Sequence, residues 1–190
     1  MMTIRNVAEI IGGQIMTRVT SEDASDGKPA VMLTTKAVED GVIDRADLKD
    51  VVLVRPVDDE KYTRIGDVML KLSTPYDAAY VDEGYDGLVF PSFFVVIRVS
   101  DRVDAQYLTA LLNSRYVRRQ LQLIQTGVGR PMVRISDIRE LQIPEIPLEK
   151  MRELGQEYAA SCQKRKLLRE MEKTERELME GRLLESTREA

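Results

Sequence analysis

A change of composition at Pro147 constrains the fold of this chain more than any other feature. From Glu149 to Glu189 the sequence contains no proline and only two glycines, and its acidic and basic residues alternate at helical spacing. A helix of this length with one narrow apolar stripe cannot bury that stripe by itself, so it needs a partner helix. The composition therefore predicts a globular domain at residues 1–147 and a spacer helix at residues 148–190.

The apolar stripe of the predicted spacer helix runs in two phases. We expect this helix to form an intermolecular coiled coil or helix pair, which would make the protein a homodimer. The residues assigned to this dimer contact are Met151, Leu154, Tyr158, Leu167, Met171 and Leu178. The single cysteine, Cys162, lies on the same helix and is interpreted as a small residue at a helix interface.

The stretch just before the spacer helix combines a glycine loop with a rigid exit. Gly127 and Gly129 permit positive φ angles or a close approach to a partner. Residues 132–135 are apolar apart from one arginine, which predicts a short strand. Pro144 and Pro147 end this segment and stiffen the exit toward the helix.

Upstream of the glycine loop, the pattern predicts a mixed α+β domain of mostly antiparallel strands. Short apolar runs separated by polar turns predict non-local strand pairing. Residues 4–11 are predicted to form a short opening helix, and residues 14–19 a strand. In residues 104–125 the apolar positions fall at helical spacing, which predicts one amphipathic helix with a basic outer face.

The composition excludes several kinds of function. The chain has no histidine and one cysteine, so ordinary zinc sites and Ser-His or Cys-His nucleophile pairs cannot form within it. No acidic pair stands in a recognisable catalytic frame, and we expect neither an enzyme nor a bound metal or cofactor. The longest apolar run, residues 88–97, is too short to span a bilayer. The first ten residues contain no long hydrophobic segment after a basic cluster, so we expect no secretory signal. The expected location is the cytoplasm.

Charge is distributed unevenly along the chain. The formal net charge is −4, and acidic pairs and runs recur through the first half. Between residues 115 and 139 the balance reverses, because six arginines face one aspartate. These arginines are Arg115, Arg118, Arg119, Arg130, Arg134 and Arg139. Such a local basic surface on an acidic body is compatible with a DNA-contacting face.

Five segments, taken in order and at their spacing, resemble half of the DNA-specificity subunit of type I restriction–modification systems. These segments are GKPAVMLTTKAVEDGVID (27–44), IGDVML (65–70), PSFFVV (91–96), AQYLTALLNSRYVRRQL (105–121) and DIRELQIPEIPL (137–148). The resemblance covers nearly the whole chain. It differs from full subunits in having one target recognition domain instead of two, which suggests either a half-length subunit that dimerises or a fragment.

The resemblance implies that residues 1–147 are a target recognition domain that reads one half of a split DNA site. The spacer helix would set the distance between the halves. The complex would contain methyltransferase and restriction (translocase/nuclease) subunits, and S-adenosylmethionine, ATP and Mg would bind only to those partners. A homodimer would present two equivalent recognition domains to double-stranded DNA, so the expected site is palindromic.

Polar residues after predicted strands and near the glycine loop are the candidate DNA contacts. An arginine beside a flexible loop can reach a phosphate or the O6/N7 edge of guanine, although a surface salt bridge is an equal alternative. The candidates are Lys28, Thr34, Thr35, Lys36, Ser73, Thr74, Tyr76, Gly127, Gly129, Arg130 and Arg134. The arginines of the predicted helix at 104–125 are interpreted as a solvated face.

A second hypothesis belongs to another class of function. The acidic first half favours a protein-interaction module or decoy that assembles with methyltransferase subunits without reading DNA. DNA binding measured across salt concentrations, with and without the methyltransferase, separates the two hypotheses.

Overall fold

The computed structural model describes residues 1–21, 27–125 and 132–188, apart from the side chains of Ser186 and Arg188. Within these residues the strands, in chain order, are β1 (Met2–Thr3), β2 (Ala8–Gly12), β3 (Lys28–Met32), β4 (Val38–Glu39), β5 (Val42–Ile43), β6 (Lys49–Leu53), β7 (Val68–Lys71), β8 (Ala78–Tyr80), β9 (Phe94–Val99) and β10 (Gln142–Ile143). The helices are α1 (Ala105–Leu112), α2 (Arg115–Ile124), α3 (Ile135–Arg139) and α4 (Leu148–Arg188). The predicted α+β class with antiparallel strands and a long C-terminal helix is confirmed.

The central element is a four-stranded antiparallel sheet in the order β2-β9-β7-β8. Three further strand pairs, β1-β10, β3-β6 and β4-β5, flank it. The register aligns Ile97 of β9 with Ile10 on one side and with Val68 on the other. Partners in this sheet lie far apart in the sequence, as the short strands and polar turns predict.

Both faces of the central sheet are buried. Because successive strand residues point to opposite faces, Val68 and Leu70 enter the core beneath α1 and α2. Met69 between them enters a second core with Phe90 and Phe94. Burial on both faces explains why these strands are continuous apolar runs instead of alternating patterns.

The single amphipathic helix predicted at 104–125 is two helices. Asp104 caps α1 by accepting a hydrogen bond from the Tyr107 amide at 2.8 Å. Ser114 caps α2 in the same way, accepting from the Val117 amide at 3.3 Å. Asn113 and Ser114 are poor residues for a helix interior, and their side chains serve the ends of the two helices instead.

Two predictions near the N-terminus are wrong. Residues 4–11 form a 3₁₀ turn, Ile4–Asn6, followed by strand β2. Tertiary pairing decides this segment, since all of β2 aligns with residues 95–99 of β9 and places Ile10 and Ile11 in opposite cores. Residues 14–19 contain a 3₁₀ turn, Met16–Arg18, where a strand was expected.

The strand predicted at 132–135 is also wrong. Met132 makes an isolated antiparallel bridge to Ser73, and the Val133 amide donates to the Leu72 carbonyl at 2.8 Å. Helix α3 then begins at Ile135. Asp137 lies in the first turn of that helix, where the positive end of the helix dipole stabilises a carboxylate.

Helix α4 has 41 residues and a length of about 60 Å. Its first half packs on the domain, with Met151 buried in the core beneath α1 and α2. All described side chains from 170 to 187 are exposed. The helix therefore begins as part of the domain and continues as a projecting rod. Among the described residues, no helix is both long enough and apolar enough to cross a lipid bilayer.

Candidate nucleic-acid interface

Two of the predicted DNA-contacting segments meet in one groove with a volume of about 820 Å³. Thr34, Thr35 and Lys36 follow β3 and line it from one side. Ser73 and Thr74 follow β7 and also line it. The Leu33 amide donates to the Val89 carbonyl at 2.9 Å, which holds the end of β3 against the segment before β9. The fold thus brings together five predicted residues from two segments that are separated by 37 positions in the sequence.

The wall after β3 is a capped turn. The Thr34 hydroxyl donates to the Asp47 carbonyl at 2.7 Å and accepts from the Ala37 amide at 3.1 Å, so its hydrogen-bonding capacity serves the turn. Lys36 pairs with the Asp47 carboxylate at 2.5 Å. The hydrogen bond and charge of Asp47 raise the pKa of Lys36. Thr35 is exposed, and its side chain has no hydrogen bond within the described part of the chain.

The wall after β7 ends in a turn whose aromatic residue points inward. Tyr76 is 1% exposed and belongs to the core beneath α1 and α2, and its hydroxyl donates to Gln125. The expectation that Tyr76 meets DNA is therefore corrected, because its ring and hydroxyl both have internal partners. Ser73 is half-buried and Thr74 is exposed on the groove.

The glycine loop predicted to contact DNA, with Gly127, Gly129 and Arg130, lies outside the described residues. Its described neighbours on both sides contact the turn at the groove. Gln125 accepts the Tyr76 hydroxyl, and Met132 bridges Ser73. The assignment of the loop to DNA contact stays a prediction.

Besides Tyr76, two other described candidates do not line this groove. Lys28 is exposed at the start of β3 and pairs across the strands with Leu53. Arg134 is exposed before α3 and forms an ion pair with Asp137 at 3.1 Å. Exposed pairs at this spacing contribute little to stability, so Arg134 can exchange this partner for another.

A buried charge cluster adjoins the groove, and sequence reasoning missed it. Lys71, which lines the groove, pairs with Asp77 at 3.0 Å, and Arg118 of α2 pairs with the other Asp77 oxygen at 2.8 Å. The Lys71 and Asp77 side chains are only 10% and 4% exposed. Arg118 also donates to Asn113, so its interpretation as a solvated residue is wrong. A lysine inside the apolar run of β7 was the available signal, since lysine is rarely buried without a partner.

The predicted dimer contact divides into two groups. Met151 is 1% exposed in the domain core, and Leu154 packs against that core. These two residues serve an intramolecular contact where a partner helix was expected. Leu167, Met171 and Leu178 are 58%, 69% and 62% exposed. At 100° per residue, these three lie roughly 180° around the helix from the face that carries Met151.

The β4–β5 turn holds the middle of α4. Gly41 has φ +90°, and a Cβ there would lie 2.5 Å from the Cys162 Sγ. Arg169 pairs with Asp40 at 2.9 Å. Burial, together with the neighbouring Cys162, raises the pKa of Tyr158 above its ordinary value. Tyr158 and Cys162 therefore contact the chain's own turn, which fixes the direction in which the rest of α4 leaves the domain.

The sequence matches no protein-family model, and no curated protein matches it. Its fold is nevertheless similar to those of solved structures. One is a chain from a study of complex assembly and conformational transition of the type I R-M system, with TM-score 0.65, 21% identity and 88% of this chain covered. Another is the HsdS subunit from Thermoanaerobacter tengcongensis, with TM-score 0.64, 20% identity and 90% covered. This chain spans 43% of each of those chains. The chain therefore shares the fold of these two solved chains, one of them an HsdS subunit, over less than half of their length.

Proposed function

We propose that this chain is a sequence-specific DNA recognition subunit of a type I restriction–modification system and is itself not an enzyme. The observation that carries the proposal is the shared fold over about nine-tenths of the chain. The ordered motifs of the sequence point to the same family. The groove lined by Thr34–Lys36, Ser73 and Thr74 is the candidate DNA-binding surface.

The groove carries side chains suited to DNA. Hydroxyls and ammonium groups donate to phosphate oxygens, and such contacts set the position of a protein on the duplex. Thr35, Ser73 and Thr74 have side-chain hydroxyls without hydrogen bonds within the described residues. Arg130 and Arg134 are proposed to supply further contacts, with base reading assigned to an arginine that can reach the O6/N7 edge of guanine.

The projecting half of α4 is proposed to pair with a second copy. Its exposed Leu167, Met171 and Leu178 lie on the face turned away from the chain's own domain, where packing on that domain cannot cover them. Two identical chains paired in this way would hold two equivalent recognition domains at a set distance. The DNA site would then be a palindromic pair of half-sites with a fixed spacer.

The chemistry of the proposed complex belongs to other subunits. A methyltransferase subunit would use S-adenosylmethionine, and a restriction subunit would use ATP and Mg. This chain would direct both to the bipartite site in the cytoplasm, and it would need no cofactor of its own.

Selection from a pool of randomised duplexes tests the proposal. The purified chain, alone and with its methyltransferase subunit, is expected to enrich one inverted pair of half-sites at a single spacing. Leu178→Lys is the informative variant, because loss of pairing should leave a single half-site in the enriched pool. Enrichment of no sequence under either condition would sink the proposal.

A second candidate function is a protein-interaction module or decoy that binds methyltransferase subunits without reading DNA. The net charge of −4 favours it, as does the pairing of Lys36 and Lys71 with aspartates. This candidate predicts tight binding to the methyltransferase, and it predicts no duplex binding by the chain at any salt concentration.

A further inference from the structure

Lys71 has unused hydrogen-bonding capacity in the groove. Its side chain is nine-tenths buried, and its ammonium group bonds to Asp77 at 3.0 Å. An ammonium group carries three donors, and among the described residues the other two have no acceptor. Leaving buried donors unpaired costs free energy, so a ligand with acceptor atoms would complete this site.

Another buried ion pair among the described residues, Arg98–Asp67, shows the contrast. Arg98 bonds to both carboxylate oxygens of Asp67, at 2.9 and 3.3 Å, and its guanidinium also donates to the Tyr62 carbonyl at 3.0 Å. Arg98 is absent from the groove lining. The Arg98–Asp67 pair is thus satisfied by the protein itself, whereas Lys71 is not.

The groove around Lys71 carries several further donors. The side-chain hydroxyls of Thr17, Thr35, Ser73, Thr74 and Ser92 line it, and none of them has a hydrogen bond within the described residues. Asp77 is shared by two cations, Lys71 and Arg118, so the cluster keeps one net positive charge. The lining therefore suits an anion whose oxygens only accept hydrogen bonds.

The shape of the groove selects the part of DNA that fits. A concave protein surface receives a projecting ridge, and on a duplex the projecting ridge is the sugar–phosphate backbone, while base edges lie recessed in the grooves. Ile15 and Phe93 are 42% and 51% exposed on the groove. Their apolar surface can contact deoxyribose while the hydroxyls and Lys71 face phosphate oxygens.

We propose that this groove holds the sugar–phosphate backbone of one DNA strand and that Lys71 bonds a phosphate within it. The inference rests on the proposed DNA-binding function and names the part of the DNA that this face contacts. Lys71 then contributes affinity and orientation, and sequence reading belongs to residues outside this groove.

Binding of a short mixed-sequence duplex to the full chain, measured across salt concentrations, tests the proposal. Each phosphate contact contributes about 0.9 to the slope of log K against log salt concentration. Lys71→Met should reduce the slope by about this amount and weaken binding several-fold, and Lys71→Arg should retain the slope. The matched control is Lys150→Met, which removes an equal charge from an exposed residue of α4 that does not line the groove.

The outcomes separate the inference from the proposed function. If the wild-type chain binds no duplex, either alone or with its methyltransferase subunit, the proposed function fails. If the wild type binds and Lys71→Met has the slope of Lys150→Met, only the assignment of Lys71 is overturned. Lys71→Met is also used in the selection from randomised duplexes. An unchanged salt slope together with relaxed selection at one base position would make Lys71 a base reader and would also overturn its assignment to a phosphate.

Thermal unfolding shows whether Lys71→Met is folded. A second variant tests the groove independently in case Lys71→Met is not folded. Thr35→Val combined with Ser73→Ala removes two groove hydroxyls and no charge. The double variant should weaken duplex binding several-fold with an unchanged salt slope, because neutral donors release no counterions. Wild-type affinity in the double variant would contradict the placement of the DNA backbone in this groove.

Discussion

Gly155 is the point where the C-terminal helix touches the first helix of the domain, and its substitution tests how α4 is held. A Cβ at Gly155 would lie 2.5 Å from the Asp104 Oδ1 and 2.7 Å from the Tyr107 amide nitrogen. Those two atoms form the capping hydrogen bond of α1. Gly155→Ala therefore forces a methyl group into a helix cap at the contact between two helices.

The expected magnitude follows from three effects. Disturbing the cap costs about 1 kcal/mol. Overpacking at a close helix contact costs about 2 kcal/mol. Alanine contributes about 1 kcal/mol through its higher helix propensity. The net loss in free energy of unfolding is about 2 kcal/mol, which lowers Tm by roughly 4–8 °C for a chain of this size.

Gly181 provides a matched control in the same helix. No heavy atom lies within 4 Å of the position that a Cβ would occupy there. Gly181→Ala should therefore keep only the gain in helix propensity, so it should raise the helix content and leave the stability of the domain unchanged or slightly higher. Circular dichroism during thermal unfolding, at one protein concentration, measures both variants. Equal Tm values for Gly155→Ala and the wild type would refute the close packing of α4 on α1.

Three other predictions concern the turn, the rod and the tyrosine of α4. Gly41→Ala adds a clash with Cys162 to the strain of a positive φ. It should therefore destabilise the domain by about 1–3 kcal/mol more than the control Gly66→Ala, since Gly66 has φ +92° but open space around it. Urea unfolding measures the free energy of unfolding of both variants, and equal losses would exclude a close contact at Gly41. Leu178→Lys should convert a dimer to a monomer in analytical ultracentrifugation, whereas Ile65→Lys, at an exposed apolar residue of the domain, should not. The pKa of Tyr158 is raised, so its contribution to stability is fully present below the phenol pKa of unfolded chains, near 10, and is lost as pH rises through the higher folded value. Absorbance titration should show a phenol that ionises at higher pH than an exposed tyrosine, and Tyr158→Phe should remove that step; an unchanged titration would contradict the burial of Tyr158.

Some of this architecture follows directly from local sequence signals. The absence of proline after Pro147 predicts the helix that begins at Leu148. The glycine and polar turns between apolar runs predict the many short strands. These signals are reliable because they act on the backbone at the residue concerned.

Other features depend on contacts between distant residues. Apolar residues at 4, 7, 10 and 11 fit a helical stripe, yet pairing of β2 with β9 overrides that local preference. Met151 fits the apolar stripe of a coiled coil, but the chain's own domain occupies that side of the helix. The sequence pattern identifies a buried stripe and leaves open which partner buries it.

The groove likewise combines features that the local sequence predicts with features that depend on distant contacts. The segments at Thr34–Lys36 and Ser73–Thr74 stand out in the sequence as polar residues after strands, and the fold brings them together. Lys71 stands within an apolar strand, and Arg118, the other cation that pairs with Asp77, lies 47 residues further along the chain. Only the tertiary structure reveals that Asp77 connects them.

On the proposed function, this chain determines which host DNA sequences are methylated. Co-expression with its methyltransferase subunit, followed by sequencing of the modified bases in host DNA, measures this directly. We expect methylation at one inverted pair of half-sites with a single spacing, and loss of that pattern when the chain is omitted. An identical methylation map with and without the chain, or a site with no inverted half-sites, would contradict it.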